Sequence, residues 1–425
     1  MERFNNTKKL VDLSLFSKDA KILLLVNIIF SLIIPLDIIF SNAFIWRQKQ
    51  DFALLFASNC SGFIGVPVGY LVNGFLLRRI PIKKIFFGSM ILCVLSLMVL
   101  FFLEKTSYPV VISLGFVTGS CMGIYWSSRM YMALMNTQDS NRNYFNSIEL
   151  FSTVVADVVT AFFCGLFIGN AYKFGLSPNA AYQIVIVLAL VLVVIAGFIL
   201  KRGSFKNPNI QKFIFSKFIP RWNQMRLYSI ALGIVEGCTL ILPTLLILKF
   251  LGNESSLGVV ESASTIVSLI VVYLAGRFSS PTHRTRMVII SVLIIFTGSF
   301  LYGVLFSALG VILFQISFIL SKPLQELAFR SSLMRSVDYA AAIERRDEYA
   351  YLIDNECVRL LGRLTGAGIF MILYFKGSEE LALRIALILL SLILANTIWI
   401  SKKLNPKGPE KIGLEESTST TLLVL

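Results

Sequence analysis

Long apolar runs recur along almost the whole chain and are separated by short polar connectors. A helix of roughly 20 residues crosses a hydrocarbon core of about 30 Å, because its backbone groups are bonded within the segment. The pattern therefore predicts an all-α integral membrane protein with twelve transmembrane helices. The predicted spans are 21–45, 52–77, 84–103, 109–135, 144–169, 181–200, 227–249, 257–278, 287–306, 308–335, 348–374 and 380–401.

A polar, basic connector over residues 201–226 separates the first six predicted spans from the last six. It predicts an N-terminal half over 21–200 and a C-terminal half over 227–401. Residues 1–20 and 402–425 are then a cytoplasmic N-terminal segment and a cytoplasmic tail. Within the connector, apolar residues between 210 and 219 are interspersed with lysines. This favours a short helix in the membrane interface, and a simple basic loop is an equal alternative.

The distribution of charged residues predicts how the chain is oriented in the membrane. Of 425 residues, 56% are hydrophobic and 15% are charged, and the formal net charge is +15. The cations collect in alternate connectors, as expected where short cytoplasmic loops retain lysine and arginine. We therefore predict that both termini are cytoplasmic, that the bilayer is a bacterial cytoplasmic (inner) membrane, and that the protein does not bind nucleic acid.

The residues needed for several other activities are missing from the sequence. The six cysteines lie in apolar segments without a C-x-x-C pair, and His283 is the only histidine, which argues against a metal site and a histidine-based nucleophile. No G-x-x-x-x-G-K-[ST] segment for ATP is present. We expect no enzyme activity, no metal and no cofactor, with energy from an ion gradient or from the solute's own gradient.

Two pairs of similar segments indicate an internal repeat. Residues 69–84 resemble 272–286, and residues 141–149 resemble 345–354 at nearly the same offset. Each pair follows the equivalent predicted helix of its half, so the chain is expected to consist of two parallel six-helix repeats.

The chain resembles the major facilitator superfamily in its two six-helix halves and its basic central connector. It also has a segment similar to one found in that family, Gly69-x-Leu71-x-Asn73 leading to Arg78, Arg79, Lys83 and Lys84. The match is partial, because that family usually has aspartate where Asn73 stands, and no subfamily is identified. The resemblance implies two pseudo-symmetric halves around a central cavity, rocking about a midplane site to give alternating access.

Ionised side chains at membrane depth cost a few kcal/mol or more, so they usually face water and have a partner. Asp37 comes two residues after Pro35, where a loosened helix can present it to water. The second half supplies the cations, and a face with cations on one half and carboxylates on the other fits an anionic or zwitterionic solute. The candidates for proton coupling or the substrate cavity are Asp37, Asp157, Glu236, Lys322, Glu326 and Arg363.

A second set of residues lies near the predicted cytoplasmic ends of the spans and suits gates or loop anchors. Glycine in this set allows close helix approach, and the cations can pair with carboxylates or anionic head groups. The set comprises Gly69, Asn73, Arg78, Arg79, Lys83, Arg129, Arg142, Glu149, Arg330 and Asp354.

These observations predict a secondary active transporter for a small polar, anionic or zwitterionic organic solute. Its partners are the small-molecule substrate, protons or another coupling ion, and the lipid bilayer, and a monomer suffices. One alternative is an exporter of amphipathic compounds such as a drug, siderophore or lipid precursor. A second is a membrane receptor that does not transport.

Overall fold

The computed structural model describes residues 15–49, 51–208, 210, 213–215, 217–239, 242, 246, 250, 267–271, 274, 283–376 and 379–405. The regular structure of these residues is helical, and among them nine helices are long and apolar enough to cross a membrane. The chain divides into two compact units, Met1–Gln211 and Lys212–Leu425, called unit 1 and unit 2 below. This boundary falls inside the predicted connector, whose limits at 201 and 226 stay a prediction.

Unit 1 contains seven α-helices in its described part. Two of them begin with a serine whose hydroxyl accepts a backbone N–H of the first turn, the usual way to satisfy an otherwise unbonded donor. A short 3₁₀ helix over Ala171–Phe174 precedes the last. The helices are α1 Lys18–Ser31, α2 Ser41–Lys49, α3 Phe52–Leu76, α4 Ile82–Phe101, α5 Tyr108–Asn136, α6 Asp139–Gly169 and α7 Pro178–Leu200.

The first predicted span is helical but interrupted. Pro35 has no N–H to donate to the preceding turn, and the chain continues through a π-helical turn over Leu36–Phe40 before α2. The Ser41 hydroxyl donates to the Asp37 carbonyl oxygen and so satisfies an acceptor of this turn. The interruption places Asp37 in the wide turn that directly follows the proline.

Helices α3 and α5 pack backbone against backbone through glycines. A Cβ atom on Gly69 would overlap the carbonyl oxygen of Ser120, and one on Gly123 would overlap that of Val66. Replacing either glycine would push the helices apart, because the obstructing atoms belong to the main chain. The Gly69 position of the family segment is therefore a helix contact in this structure.

Unit 2 contains five described α-helices. The predicted eighth span, 257–278, and the predicted seventh span beyond residue 239 lie largely outside the described residues. The helices are α8 Pro220–Thr239, α9 Arg284–Leu305, α10 Ala308–Glu344, α11 Glu348–Lys376 and α12 Glu379–Leu404.

Helix α10 is longer than predicted, since it ends at Glu344 and the prediction ended at residue 335. Its additional turns bury Val337 and Ala340 on one face while Asp338 is exposed on another. An amphipathic extension of this kind does not register as an apolar run, which explains the early limit. The helix stops at Arg345, which has a left-handed backbone (φ 50°) and bonds back to the Ala341 carbonyl oxygen.

The described part of the connector does not form the interfacial helix, since residues 213–215 and 217–219 are irregular. Phe213 is buried and Phe215 packs on Arg346 of unit 2, whereas Ile214 is 61% exposed. The Arg346 guanidinium lies 4.1 Å from the centre of the Phe215 ring and donates to the Lys217 carbonyl oxygen at 2.8 Å. The Ile219 N–H donates to Glu344 Oε1 at 3.1 Å. Of the two alternatives, the basic loop agrees with these described residues.

The turn between α10 and α11 gives a pH-dependent prediction. Burial, with the nearby Glu348 carboxylate, raises the pKa of Asp347 from 3.8 to about 6, although the Tyr349 N–H donates to it at 2.8 Å. A carboxyl with a raised folded-state pKa stabilises the fold below its ordinary pKa, and this contribution is lost as pH rises through about 6. The Asp347→Asn variant should therefore lose less stability than the wild type between pH 4 and 7 in thermal melts. Parallel curves for the two proteins would contradict the prediction.

Candidate functional site

Glu236 of α8 lies between two arginines that are one turn apart on α11. Arg359 Nε donates to Glu236 Oε2 at 3.0 Å, and Arg363 Nε donates to the same oxygen at 2.9 Å. Arg359 also makes a second contact, from Nη2 to Glu236 Oε1. One carboxylate is thus shared by two guanidiniums, and charge-assisted bonds of this kind are among the strongest that proteins form.

The two arginines also contact carboxylates on their far sides. Arg363 Nη1 donates to Glu356 Oε1 at 2.5 Å, and Arg359 Nη2 lies 3.7 Å from Glu326 Oε2. Glu326 in turn accepts from Arg330 Nε at 2.6 Å. Three carboxylates therefore balance three guanidiniums across α8, α10 and α11. We call Glu236, Glu326, Glu356, Arg330, Arg359 and Arg363 the charge network.

Exposure is uneven within the charge network. The Glu236 side chain is 33% exposed, whereas those of Arg359 and Arg363 are 13% and 12% exposed. Glu356 is almost fully enclosed, at 6%. Removing paired charges from water is costly, so a largely buried network of this size needs this mutual compensation. Glu236 is the member most accessible from the surface of unit 2.

Glycines bring α8 close enough to α11 for these contacts. A Cβ atom on Gly237 would overlap the Arg363 carbonyl oxygen, and one on Gly366 would overlap that of Ile234. Gly233 and Gly362 have equivalent positions one turn earlier in their helices. Glu236 lies between the two glycines of α8, so the close approach of the helices brings its carboxylate to the arginines.

A buried uncharged cluster lies next to the charge network and joins four helices. The Ser291 hydroxyl donates to Gln325 Oε1 at 2.6 Å. Gln325 Nε2 donates to the Tyr228 hydroxyl at 3.3 Å and to Thr397 Oγ1 at 3.4 Å. Gln325 directly precedes Glu326, so these bonds fix the part of α10 that presents Glu326 to the arginines.

Unit 1 has its own buried ion pair. Arg129 of α5 donates from Nε to Glu149 Oε1 of α6 at 2.5 Å, and a second bond joins Nη2 to Oε2. Asn27 of α1 donates to the same Glu149 Oε1 at 2.6 Å and accepts from the Tyr125 hydroxyl at 3.2 Å. All four residues are less than 5% exposed. The pair therefore holds three helices together inside the unit.

Asp37 differs from these paired carboxylates. Among the described residues, no cation or hydrogen-bond donor contacts its side chain, which is partly exposed. Asp157 is partly exposed on α6, two turns after Glu149.

Lys322, Glu326 and Arg330 are spaced four apart in the sequence, which permits ion pairs along one face of α10, and one such pair is present among the described residues. Glu326 pairs with Arg330, four residues later, as the spacing allows. Lys322 does not join them, and its ammonium lies 5.6 Å from the centre of the Phe318 ring on an exposed side chain. The expectation of cations on one half and carboxylates on the other was wrong for Glu236, whose arginine partners lie in its own unit.

The remaining candidate anchors form local contacts. Arg142 is buried and donates to the Leu134 and Thr137 carbonyl oxygens at the end of α5. Asn73 donates to the hydroxyls of Ser127 and Ser128 at 2.7 and 2.9 Å.

Other anchors lie at the ends of helices. Lys83 donates to the carbonyl oxygens of Lys201 and Gly203. Asp354 accepts from the Trp222 ring N–H at 2.7 Å and lies 3.2 Å from Arg226. The exposed Arg78 lies 5.5 Å from the centre of the Phe75 ring, and Arg79 is exposed.

Sequence reasoning missed several of these participants. Asn27 is a polar residue within an apolar run, and this alone could have marked it as a partner for Glu149. The spacing of Gly233 and Gly237, matched by Gly362 and Gly366, is the known signature of close helix contact in membranes. In the part of the chain that the structure describes, no three His, Cys, Asp or Glu side chains form a group that could hold a metal ion.

Comparison with known proteins agrees with this architecture. The family profile described as Major Facilitator Superfamily matches residues 8–341. The uncharacterized protein YqgE of Bacillus subtilis (strain 168) is 24% identical over 392 residues, which cover 88% of this chain and 87% of that protein.

Solved structures share the fold at low identity. The proton:xylose symporter XylE superposes with a TM-score of 0.68 at 14% identity, over 91% of this chain and 96% of XylE. The human organic anion transporter MFSD10 (TETRAN) gives a TM-score of 0.64 at 9% identity, over 90% of this chain and 98% of that protein. At these identities the likeness shows the fold.

Proposed function

Because the chain belongs to the major facilitator superfamily and is an integral multi-pass membrane transporter, we propose that it moves a small anionic or zwitterionic organic solute by alternating access, coupled to protons. The proposal includes a bacterial cytoplasmic membrane and cytoplasmic termini, in line with the distribution of basic residues. A monomer suffices for this activity.

The observation that carries the proposal is the charge network. Arg359 and Arg363 lie on α11, which corresponds to the predicted span 348–374, and they keep partly exposed contact with Glu236. Ionised groups at such positions are usually retained because they serve a solute or ion pathway. Guanidiniums in particular suit the planar carboxylate of an organic anion. The structural neighbours support the same class of activity, since they include an organic anion transporter and a proton symporter.

Proton coupling is assigned to Asp37 in this proposal. A carboxylate that carries protons must be able to exist in both charge states, and a permanent cation partner would hold it ionised. The described residues place no such cation beside Asp37. The π-helical turn after Pro35 also leaves its side chain partly accessible.

The Asp37→Asn variant should separate coupling from transport. In proteoliposomes, the wild type is expected to accumulate a labelled solute, chosen by thermal-shift screening, when a pH gradient is imposed. The variant should lose this accumulation but keep solute exchange without a gradient, because asparagine cannot exchange a proton. The exposed Glu104→Gln in the loop before α5 is the matched control and should behave as wild type.

Two results would oppose these assignments. If the Asp37→Asn variant accumulates the labelled solute under a pH gradient as the wild type does, Asp37 does not couple transport to protons. Wild-type uptake that ignores the pH gradient would remove proton coupling altogether, while leaving solute transport in place.

A further inference from the structure

Arg359 and Arg363 together form a receptor for one carboxylate, and in this structure Glu236 fills it. We propose that this arginine pair is the binding site for the carboxylate group of the transported solute, and that Glu236 is its resident occupant in the absence of solute. The inference rests on the proposed transport of an organic anion and deepens it.

The contacts have the geometry of carboxylate recognition. Both Nε atoms donate to Glu236 Oε2, at 3.0 and 2.9 Å, and Arg359 Nη2 contacts Oε1. Both oxygens of the occupant are therefore bonded, and one of them bridges the two arginines. The planar donor fork of arginine matches a carboxylate better than it matches a hydroxyl or a neutral amide.

The arginine pair remains supported when Glu236 is absent. Glu356 holds Arg363 at 2.5 Å, and Glu326 lies 3.7 Å from Arg359. Arg363 binds Glu356 through Nη1, whereas it binds Glu236 through Nε, and Glu326 approaches Arg359 from α10. Both guanidiniums therefore keep a neighbouring carboxylate after Glu236 leaves. A site that is preorganised in this way loses less free energy to ordering when a ligand binds.

Charge and exposure identify Glu236 as the member that is exchanged. Without Glu236, the six residues of the charge network are reduced to three guanidiniums and two carboxylates, so these side chains together carry one excess positive charge. Glu236 is 33% exposed, whereas Glu326 and Glu356 are 23% and 6% exposed. A solute carboxylate can therefore reach the position of Glu236 and restores neutrality with a single negative charge.

The Glu236→Ala variant tests the site with acetate as the probe. Alanine keeps Cβ and removes one methylene and the carboxylate, which acetate replaces atom for atom. Acetate should raise the melting temperature of the variant saturably, by the order of 2 °C, because a ligand that binds only the folded state stabilises it. The neutral isostere acetamide should not, and acetate should leave the wild type unchanged because its site is filled.

Two control variants sharpen the comparison. Glu380→Ala removes a carboxylate from the exposed Glu380–Arg384 pair (2.7 Å) and should show no acetate effect. Adding Arg359→Ala to Glu236→Ala should abolish the effect, because it removes two of the contacts. If Glu236→Ala is recovered folded only when acetate is present, that result supports the site as well.

The opposite results are equally clear. Equal shifts with acetate and acetamide, or none in Glu236→Ala, would overturn the site. If Glu236→Ala cannot be recovered even with acetate, Glu236→Gln decides, since it removes the charge but keeps the volume. An acetate-dependent shift there supports the site, and no shift or no folded protein overturns it. Because these are binding measurements, absent flux in proteoliposomes would count against the proposed function and not against the arginine pair.

Discussion

The Glu149→Ala variant is expected to lose roughly 3–5 kcal/mol of unfolding free energy, the usual cost of removing one partner from a buried ion pair. Arg129 is 4% exposed and makes two bonds to this carboxylate. The variant would remove the Glu149 carboxylate from a guanidinium that is enclosed among α1, α5 and α6, and Asn27 would lose its bond to Glu149 Oε1. Unfolding with a denaturing detergent, followed by circular dichroism, measures the loss.

A double-mutant cycle isolates the ion pair from the loss of packing. The Arg129→Ala and Glu149→Ala double variant should lose much less than the sum of the single losses, because no unpaired charge remains. In the exposed Glu380–Arg384 pair, Glu380→Ala should change stability by no more than about 1 kcal/mol. Additive losses at Arg129 and Glu149 would show that the two charges do not stabilise each other.

The Gly237→Ala variant is expected to lose about 1–3 kcal/mol of unfolding free energy, the range measured for overpacked interiors. The added Cβ would overlap the carbonyl oxygen of Arg363, which is main chain and cannot rotate away. Helices α8 and α11 must then separate, which also lengthens the contacts from Glu236 to Arg359 and Arg363. Stability in detergent and solute flux in proteoliposomes should therefore fall together.

Gly88 supplies the matched control for this substitution. It lies in α4, and a Cβ atom built on it meets nothing within 4 Å. Gly88→Ala should be neutral or stabilising by up to about 1 kcal/mol, because alanine is the better helix former. If Gly237→Ala behaved in the same way, the close contact of α8 with α11 would not contribute to stability.

Much of the architecture could be predicted because lipid imposes a simple rule on sequence. Spans must be long and apolar, so α4, α7 and α9 begin and end within a few residues of their predictions. The rule fails where a helix extends beyond the apolar run, as α10 does over its last turns. It also fails in the connector, where the spacing of the apolar residues suits a helix lying on lipid but Phe215 packs on Arg346.

Membership of the charge network was predicted only in part, since Glu356 was missed, and its pairing was not predicted. Each ionised residue within an apolar run is conspicuous, so Glu236, Glu326 and Arg363 could be identified individually. Which charges meet depends on how helices far apart in sequence pack, and the glycines of α8 and α11 determine this. Charge balance across the two halves was therefore a poor guide, because Glu236 is paired within unit 2.

The first helix of each unit has a different mechanical character. In unit 2, α8 is fastened along Gly233–Gly237 to the backbone of α11, so the two helices form a stiff pair. In unit 1, residues 18–49 contain no glycine, and their helix loses regular bonding at Pro35, where helices bend most easily. The helix over residues 18–49 therefore bends most easily at Pro35, two residues before Asp37. Within the described residues, the first helix of unit 1 is therefore pliant at Pro35, whereas α8 is held rigidly by α11.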